Sequence, residues 1–159
     1  MGGKHYYQLV RNYRDGGRHR QKVLCHLGTH DTIEGAIDAA KEKAAFHEEA
    51  ASSKRNEADS IKAKLHDLYG DDVEIYSEEE AEDHLAYLRY QDPRKLTVNY
   101  YRGYDEQAIR LMIDEWEVVK QQVDLCIDFH EKVRSAETHN LRAKRQKAKL
   151  YELLECQQK

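Results

Sequence analysis

Proline is almost missing from this chain, with one in 159 residues, at position 93. Nothing therefore breaks the polar stretches on either side of it, and long exposed helices are permitted there. Cysteine is scarce: Cys25, Cys126 and Cys156 are odd in number, far apart and form no CxxC pair. That argues against a disulfide framework and predicts free thiols in a reducing compartment. Long apolar runs are missing too, and none approaches the ~18 residues of a membrane span. The start, MGGKHYY, has no apolar segment of secretory type, so the cytoplasm is the expected location. Catalytic signatures are equally thin. His130-Glu131 is not followed by the second histidine of HExxH, and Gly16-Gly17 lacks the strand–loop–helix setting of a phosphate loop.

Charge is what the chain has in quantity. Charged residues make up 35% of it, with a net charge of −4. The distribution is uneven. Residues 1–30 carry six cations (Lys4, Arg11, Arg14, Arg18, Arg20, Lys22) against Asp15, a net +5. Within that region Tyr6–Tyr13 and His19–Leu27 are β-prone runs meeting at Asp15-Gly16-Gly17, the signature of a β-hairpin. A Gly16-Gly17 loop places Val10 opposite Val23 and Tyr6 opposite Leu27, with Cys25 beside them. The other face then pairs Arg11 with Lys22 and Tyr13 with Arg20, above Leu9–Leu24 and Tyr7–His26. The expected hairpin is apolar underneath and cationic, with aromatics, on top. Such a ribbon suits a DNA groove or backbone. Charge on an exposed sheet also protects an edge from aggregation, which is the plainer reading.

Tyr6, Tyr7, Leu9, Val10, Tyr13, Arg14, Gly17, Arg20, Gln21, Val23, Leu24, Leu27 and Gly28, continued by Thr32-Ile33-Glu34 and Ala36, form a wider pattern. This stretch resembles the N-terminal region of bacterial insertion-sequence transposases and of short bacterial coiled-coil proteins with the same motif. In the transposases it is taken as a DNA-contacting module ahead of an acidic-triad nuclease domain. No counterpart of that domain is found here, so the resemblance implies DNA contact without strand-transfer chemistry.

The rest of the chain reads as helix. Asp31 is placed as a cap, with Glu34 in the first turn. A heptad seam then runs through Ile33, Ile37, Ala40, Ala44, His47, Ala51, Lys54, Ala58, Ile61, Leu65 and Leu68, ending at Gly70. Between Asp71 and Asp83 lie eight acids and no Lys or Arg. Val73–Tyr76 reads as a short strand, Ser77–Glu80 as a capping box opening a helix to about Tyr90, and Lys95–Tyr101 as a second strand. Asp105 is placed as the cap of a last helix to about Glu155. Its seam is Ile109, Met112, Trp116, Val119, Val123, Cys126, His130 and Val133, then Ala136, Asn140, Ala143, Lys147, Leu150 and Leu154. Run antiparallel, the two seams match: Ile33 meets Leu154, Ile37 meets Leu150, Ala44 meets Ala143, Ala51 meets Ala136, and His47 faces Asn140.

The expected fold is mainly α: a small N-terminal β-hairpin and a long antiparallel helical hairpin (coiled coil) with an α/β insert at its tip. The divisions are 1–30 for the basic hairpin, 31–69 for the first coiled-coil helix, 70–103 for the acidic insert and 104–159 for the second helix. A homodimer, burying more of two thin helices, is the expected assembly. Residues 132–149 hold seven cations against Glu137, a net +6, and this register returns them beside the hairpin. Segment 31–92, with seven cations and eighteen acids, is −11. Pairing of the basic run with Asp38, Glu42, Glu48 and Glu49 is the competing expectation.

No active site emerges. His139, Arg142 and Tyr151 match three residues of tyrosine recombinases, but the rest of that site is missing. Cys126 with His130, and Cys25 with His26 and His30, are incomplete metal sets, and structural roles suit them better. No cofactor and no metal is expected, and the chain is read as a non-enzyme. Double-stranded DNA is the expected partner. Tyr7, Arg11, Tyr13, Arg18, Arg20 and Lys22 of the hairpin and Arg142, Arg145 and Lys149 of the last helix are the contacting residues. The alternative is a coiled-coil adaptor whose acidic insert docks a basic protein. Binding of RNA or single strands through the tyrosines is a third reading. Transposition, regulation and defence all stay open as settings.

Overall fold

The computed structural model describes residues 4–95 and 106–158. The hairpin comprises β1 (Tyr7–Asp15) and β2 (Arg18–Gly28), followed by helices α1 (Ile33–Tyr69) and α2 (Glu78–Tyr90). A 3₁₀ turn (Pro93–Lys95) comes next, and then α3 (Glu106–Gln157). The Lys95–Tyr101 strand, beyond its first residue, and the Asp105 cap lie outside the described residues. The chain divides into two compact units, Met1–Ser52 with Glu137–Lys159, and Ser53–Ala136. No helix is long and apolar enough among the described residues to cross a membrane.

Gly16 and Gly17 both have positive φ, 56° and 81°, as a two-residue primed turn requires. That turn sets the pairing from Asp15–Arg18 down to Val10–Val23, including Arg11–Lys22 and Tyr13–Arg20. Below Val10 the expected register fails. Leu9 pairs with Cys25 rather than Leu24, Gln8 with His26, and Tyr7 with Gly28. Leu24 is thus an extra residue on β2 between Val23 and Cys25, and a second shift between Gln8 and Tyr7 leaves Leu27 without a partner on β1.

The bulge has a packing cause in the hairpin unit. Leu27 is buried with Ala36, Ile37, Ala40 and Leu153, and Leu9, Cys25, Ile33, Leu150 and Leu154 close around them. The shift lets Leu9, Cys25 and Leu27 share the inward side. The expected apolar underside of Val10, Val23 and Tyr6 is corrected: these residues are 40%, 44% and 73% exposed.

Thr32, not Asp31, caps α1. Its hydroxyl accepts from Gly35 N–H at 3.1 Å, one turn inside the helix. Both residues are good caps, and the helix begins at Ile33, which places Thr32 at the capping position. At the other end Gly70 takes φ 92° and donates to the His66 carbonyl, closing the last turn. In the hairpin unit α1 and α3 run antiparallel, with Ala36–Ala40 packed near Leu150–Leu154 and His47 against His139. His139 replaces the expected Asn140. Leu153 and Cys156 are buried in place of the expected Leu154, because that end of α3 is covered by β2 as well as α1. Lys147 leaves the seam and pairs with Glu48.

The second unit is built round Leu65, Ala81, Leu88, Trp116, Val123 and Cys126. Val119, expected on that seam, is 42% exposed instead. Ser77 opens α2 with both halves of the capping box: its hydroxyl accepts from Glu80 N–H, and the Glu80 carboxylate accepts from Ser77 N–H at 2.9 Å. The Ser77 N–H and hydroxyl hold the Glu80 carboxyl below its usual range. Val73–Tyr76 forms no strand among the described residues; Val73, Ile75 and Tyr76 pack onto the core as extended chain. After α2, Pro93 ends the helix. Arg94 chelates Asp92 and lies 4.4 Å over the Trp116 ring, whose N–H donates to the Leu88 carbonyl.

Candidate nucleic-acid interface

The outer part of the hairpin, Val10 to Val23, is exposed at every residue. It is a two-stranded arm with water on both faces, about 20 Å long from its strand rise. An isolated ribbon of this kind is marginal by itself and is held only through its base and its turn. The arm carries Arg11, Arg14, Arg18, Arg20 and Lys22 against Asp15, a net +4. Alternation along β1 puts Leu9, Arg11 and Tyr13 on one side of that strand. The side buried at the base is therefore the cationic side of the arm, where Arg11–Lys22 and Tyr13–Arg20 are paired. Apolar and cationic residues do not divide between opposite faces, as the unbroken register predicts. They occupy successive lengths of the same face.

The candidate residues differ in how engaged they are. Arg20 lies 3.3 Å from Asp15, both more than half exposed, a pairing that solvent keeps weak. Arg18 and Lys22 are exposed and make no ion pair among the described residues. Tyr7 and Tyr13 are 41% and 43% exposed.

The base of the arm meets the end of α3. Leu24, Cys25, His26 and Gly28 line one wall of a groove of about 610 Å³, and Arg145, Lys149, Glu152 and Glu155 line the other with Leu153 and Cys156. A Cβ built on Gly28 would stand 3.6 Å from Lys149 Nζ, which shows how near that ammonium comes to the strand. His26 also bonds Gln8 across the strands at 3.1 Å. Arg20 stands four residues up β2 from Leu24, roughly 13 Å along the strand. The hairpin base, not its tip, is thus the part that adjoins Arg145 and Lys149. Arg142 is exposed one turn earlier on α3.

Part of the basic run is spent internally. Lys147 pairs with Glu48, and Glu48 raises the Lys147 pKa. In the other unit Lys132 lies 3.2 Å from Glu57 and 3.7 Å from Asp128, and Arg134 pairs with Glu78. Arg142, Lys144, Arg145 and Lys149 have no ion-pair partner among the described residues. Glu48 is one of the acids named as competitors; Asp38, another, pairs with Lys41 at 3.9 Å on its own helix.

His139 Nδ1 lies 3.0 Å from His47 Nδ1, while Tyr151 stands 67% exposed. Cys126 is fully buried, and His130 Nε2 bonds the Tyr76 carbonyl at 2.8 Å. No three His, Cys, Asp or Glu side chains gather as metal ligands among the described residues. The groove and the Leu24 bulge were missed by sequence reasoning. The only signal for them was Leu24 and Leu27 falling on opposite faces of an otherwise regular strand.

Residues 2–60 match the N-terminal domain of IS1634 family transposases. The match takes in the hairpin and α1 as far as Ser60, so this region is similar to the N-terminal part of insertion-sequence transposases. No curated protein and no solved structure matches the chain.

Proposed function

We propose that this chain is a non-enzymatic bacterial DNA-binding protein related to mobile elements, which grips duplex DNA with the hairpin arm and the adjoining end of α3. The observation that carries this reading is the arm itself. Fourteen consecutive residues from Val10 to Val23 are exposed on both faces and bear five cations against one acid. None of them belongs to the buried core of their own unit. A major groove about 12 Å wide admits a two-stranded ribbon. Arg11, Arg18, Arg20 and Lys22 would meet phosphates or guanine edges, and Tyr7 and Tyr13 would pack on sugars or bases. Arg142, Arg145 and Lys149 extend the contact along the backbone. The α1–α3 pair, as an antiparallel coiled coil, sets the spacing between arms in a homodimer.

The adaptor reading draws less support, because Glu78 and Glu80 of the acidic stretch are engaged by Arg134 and the capping box. The test is a duplex-DNA titration at several salt concentrations with Arg20→Ala plus Lys22→Ala. The double variant binds more weakly and with a flatter salt dependence. Equal affinity and slope would remove the hairpin from the account.

A further inference from the structure

Two thiols meet where the hairpin joins the end of α3. Cys25 is half-buried on β2, and Cys156 is buried on the last turns of α3. Both line the groove at the base of the arm. The Cys156 thiol donates to the carbonyl of Leu24, the residue before Cys25 in the chain, at 3.2 Å, and Cys156 is among the groups that raise the Cys25 pKa. Cys126 is enclosed in the other unit's core and has no thiol neighbour among the described residues. Residues 25 and 156 are far apart in the chain, so the fold alone brings these two sulfurs together.

We infer that Cys25 and Cys156 form a reversible disulfide site, oxidised by low-molecular-weight disulfides of the glutathione class, which fastens the hairpin base to the end of α3. Cys25, the more accessible, attacks first. Its thiolate forms a bond to one sulfur of the small disulfide, whose S–S bond breaks and releases one small thiolate. Cys156 then loses its proton, attacks the Cys25 sulfur and expels the second small thiolate. Two protein thiols are oxidised to one disulfide, one small disulfide is reduced to two thiols, and the two protons go to the leaving thiolates or the buffer.

The first step is slow at neutral pH. Burial, followed by the neighbouring Cys156 and the Glu152 carboxylate, pushes the Cys25 thiol up to about 11. The reactive thiolate is therefore rare, and the rate of the first step rises about tenfold per pH unit from 7 to 10. An ordinary thiol levels off near pH 9 instead. The second step is fast because Cys156 lines the same groove as Cys25, so the attack is intramolecular. The bond closes a loop of more than a hundred residues and so raises the melting temperature of the oxidised chain, on the order of 10 °C.

The experiment incubates the full chain with glutathione disulfide at pH 7 to 10, followed by acid quench, intact mass and peptide mapping under non-reducing conditions. The expected product is a chain lighter by two hydrogens with a Cys25–Cys156 cross-linked peptide, removed by dithiothreitol. Cys156→Ser should instead stop at a glutathione adduct on Cys25. Accumulation of adducts on the wild-type chain without the cross-linked peptide would overturn the inference, as would cross-links through Cys126 in equal amount. None of these readouts depends on nucleic-acid binding.

Discussion

The base and the arm of the hairpin belong to the same two strands and are built for different purposes. At the base, Leu9, Cys25 and Leu27 turn inward onto Ile37 and Leu153, and Leu27 is 3% exposed. Past the Leu24 bulge, the same side of β1 carries Arg11 and Tyr13, paired with Lys22 and Arg20, in water. Burial at the base follows from the hydrophobic effect at about 25 cal/mol per Å². No comparable term holds the arm. The difference teaches that the bulge is a boundary between a base packed into the core and an arm left in water.

That comparison is most easily broken at the base. Leu153→Ala removes a nearly fully buried side chain from the point where β2, α1 and α3 meet, and should cost about 2–5 kcal/mol in urea unfolding. A loss below about 1 kcal/mol would mean that the base is not a core. In the other unit Ser77→Ala removes the hydroxyl that accepts from Glu80 N–H, and should cost about 1 kcal/mol by the same measurement.

A smaller effect comes from acid. Burial, then His139 and Arg142, holds the His47 pKa below its ordinary 6.5. The fold thus prefers neutral His47, while the unfolded chain takes up the proton first as pH falls. His47 therefore adds no pH dependence well above 6.5 and destabilises the hairpin unit progressively below it. Urea midpoints at pH 7.5 and 5.5 should separate less for His47→Gln than for the wild type. Smallest of all is the stability change in the arm: Arg18→Ala or Lys22→Ala should shift unfolding by no more than about 0.5 kcal/mol.

Much of this was legible in the residues. Gly16-Gly17 demands positive φ twice, so the turn and the six pairs above the bulge follow from local chemistry. The Ser77 box and the Gly70 stop are equally local signals. The misses are tertiary. The register slip at Leu24 exists because Leu27 is wanted against Ile37 and Leu153, residues far away in the chain. Leu153 displaces Leu154 because a second neighbour widens the buried arc of α3, which a two-helix pattern cannot foresee. Val73–Tyr76 has strand composition but is used as packing for the Leu65–Val123 core. For the candidate interface, charge pointed to the arm and the α3 end, while only the folded chain separates Lys147, held by Glu48, from Arg145 and Lys149 in the groove.

The most direct test is the slope of log affinity against log salt for duplex DNA, comparing the wild type with a variant carrying Arg11→Gln, Arg18→Gln, Arg20→Gln and Lys22→Gln. With both proteins equally stable, the slope should shallow by about 3 to 4, near 0.9 for each phosphate that the variant no longer neutralises. An unchanged slope on an intact fold would contradict the assignment of the arm to nucleic acid.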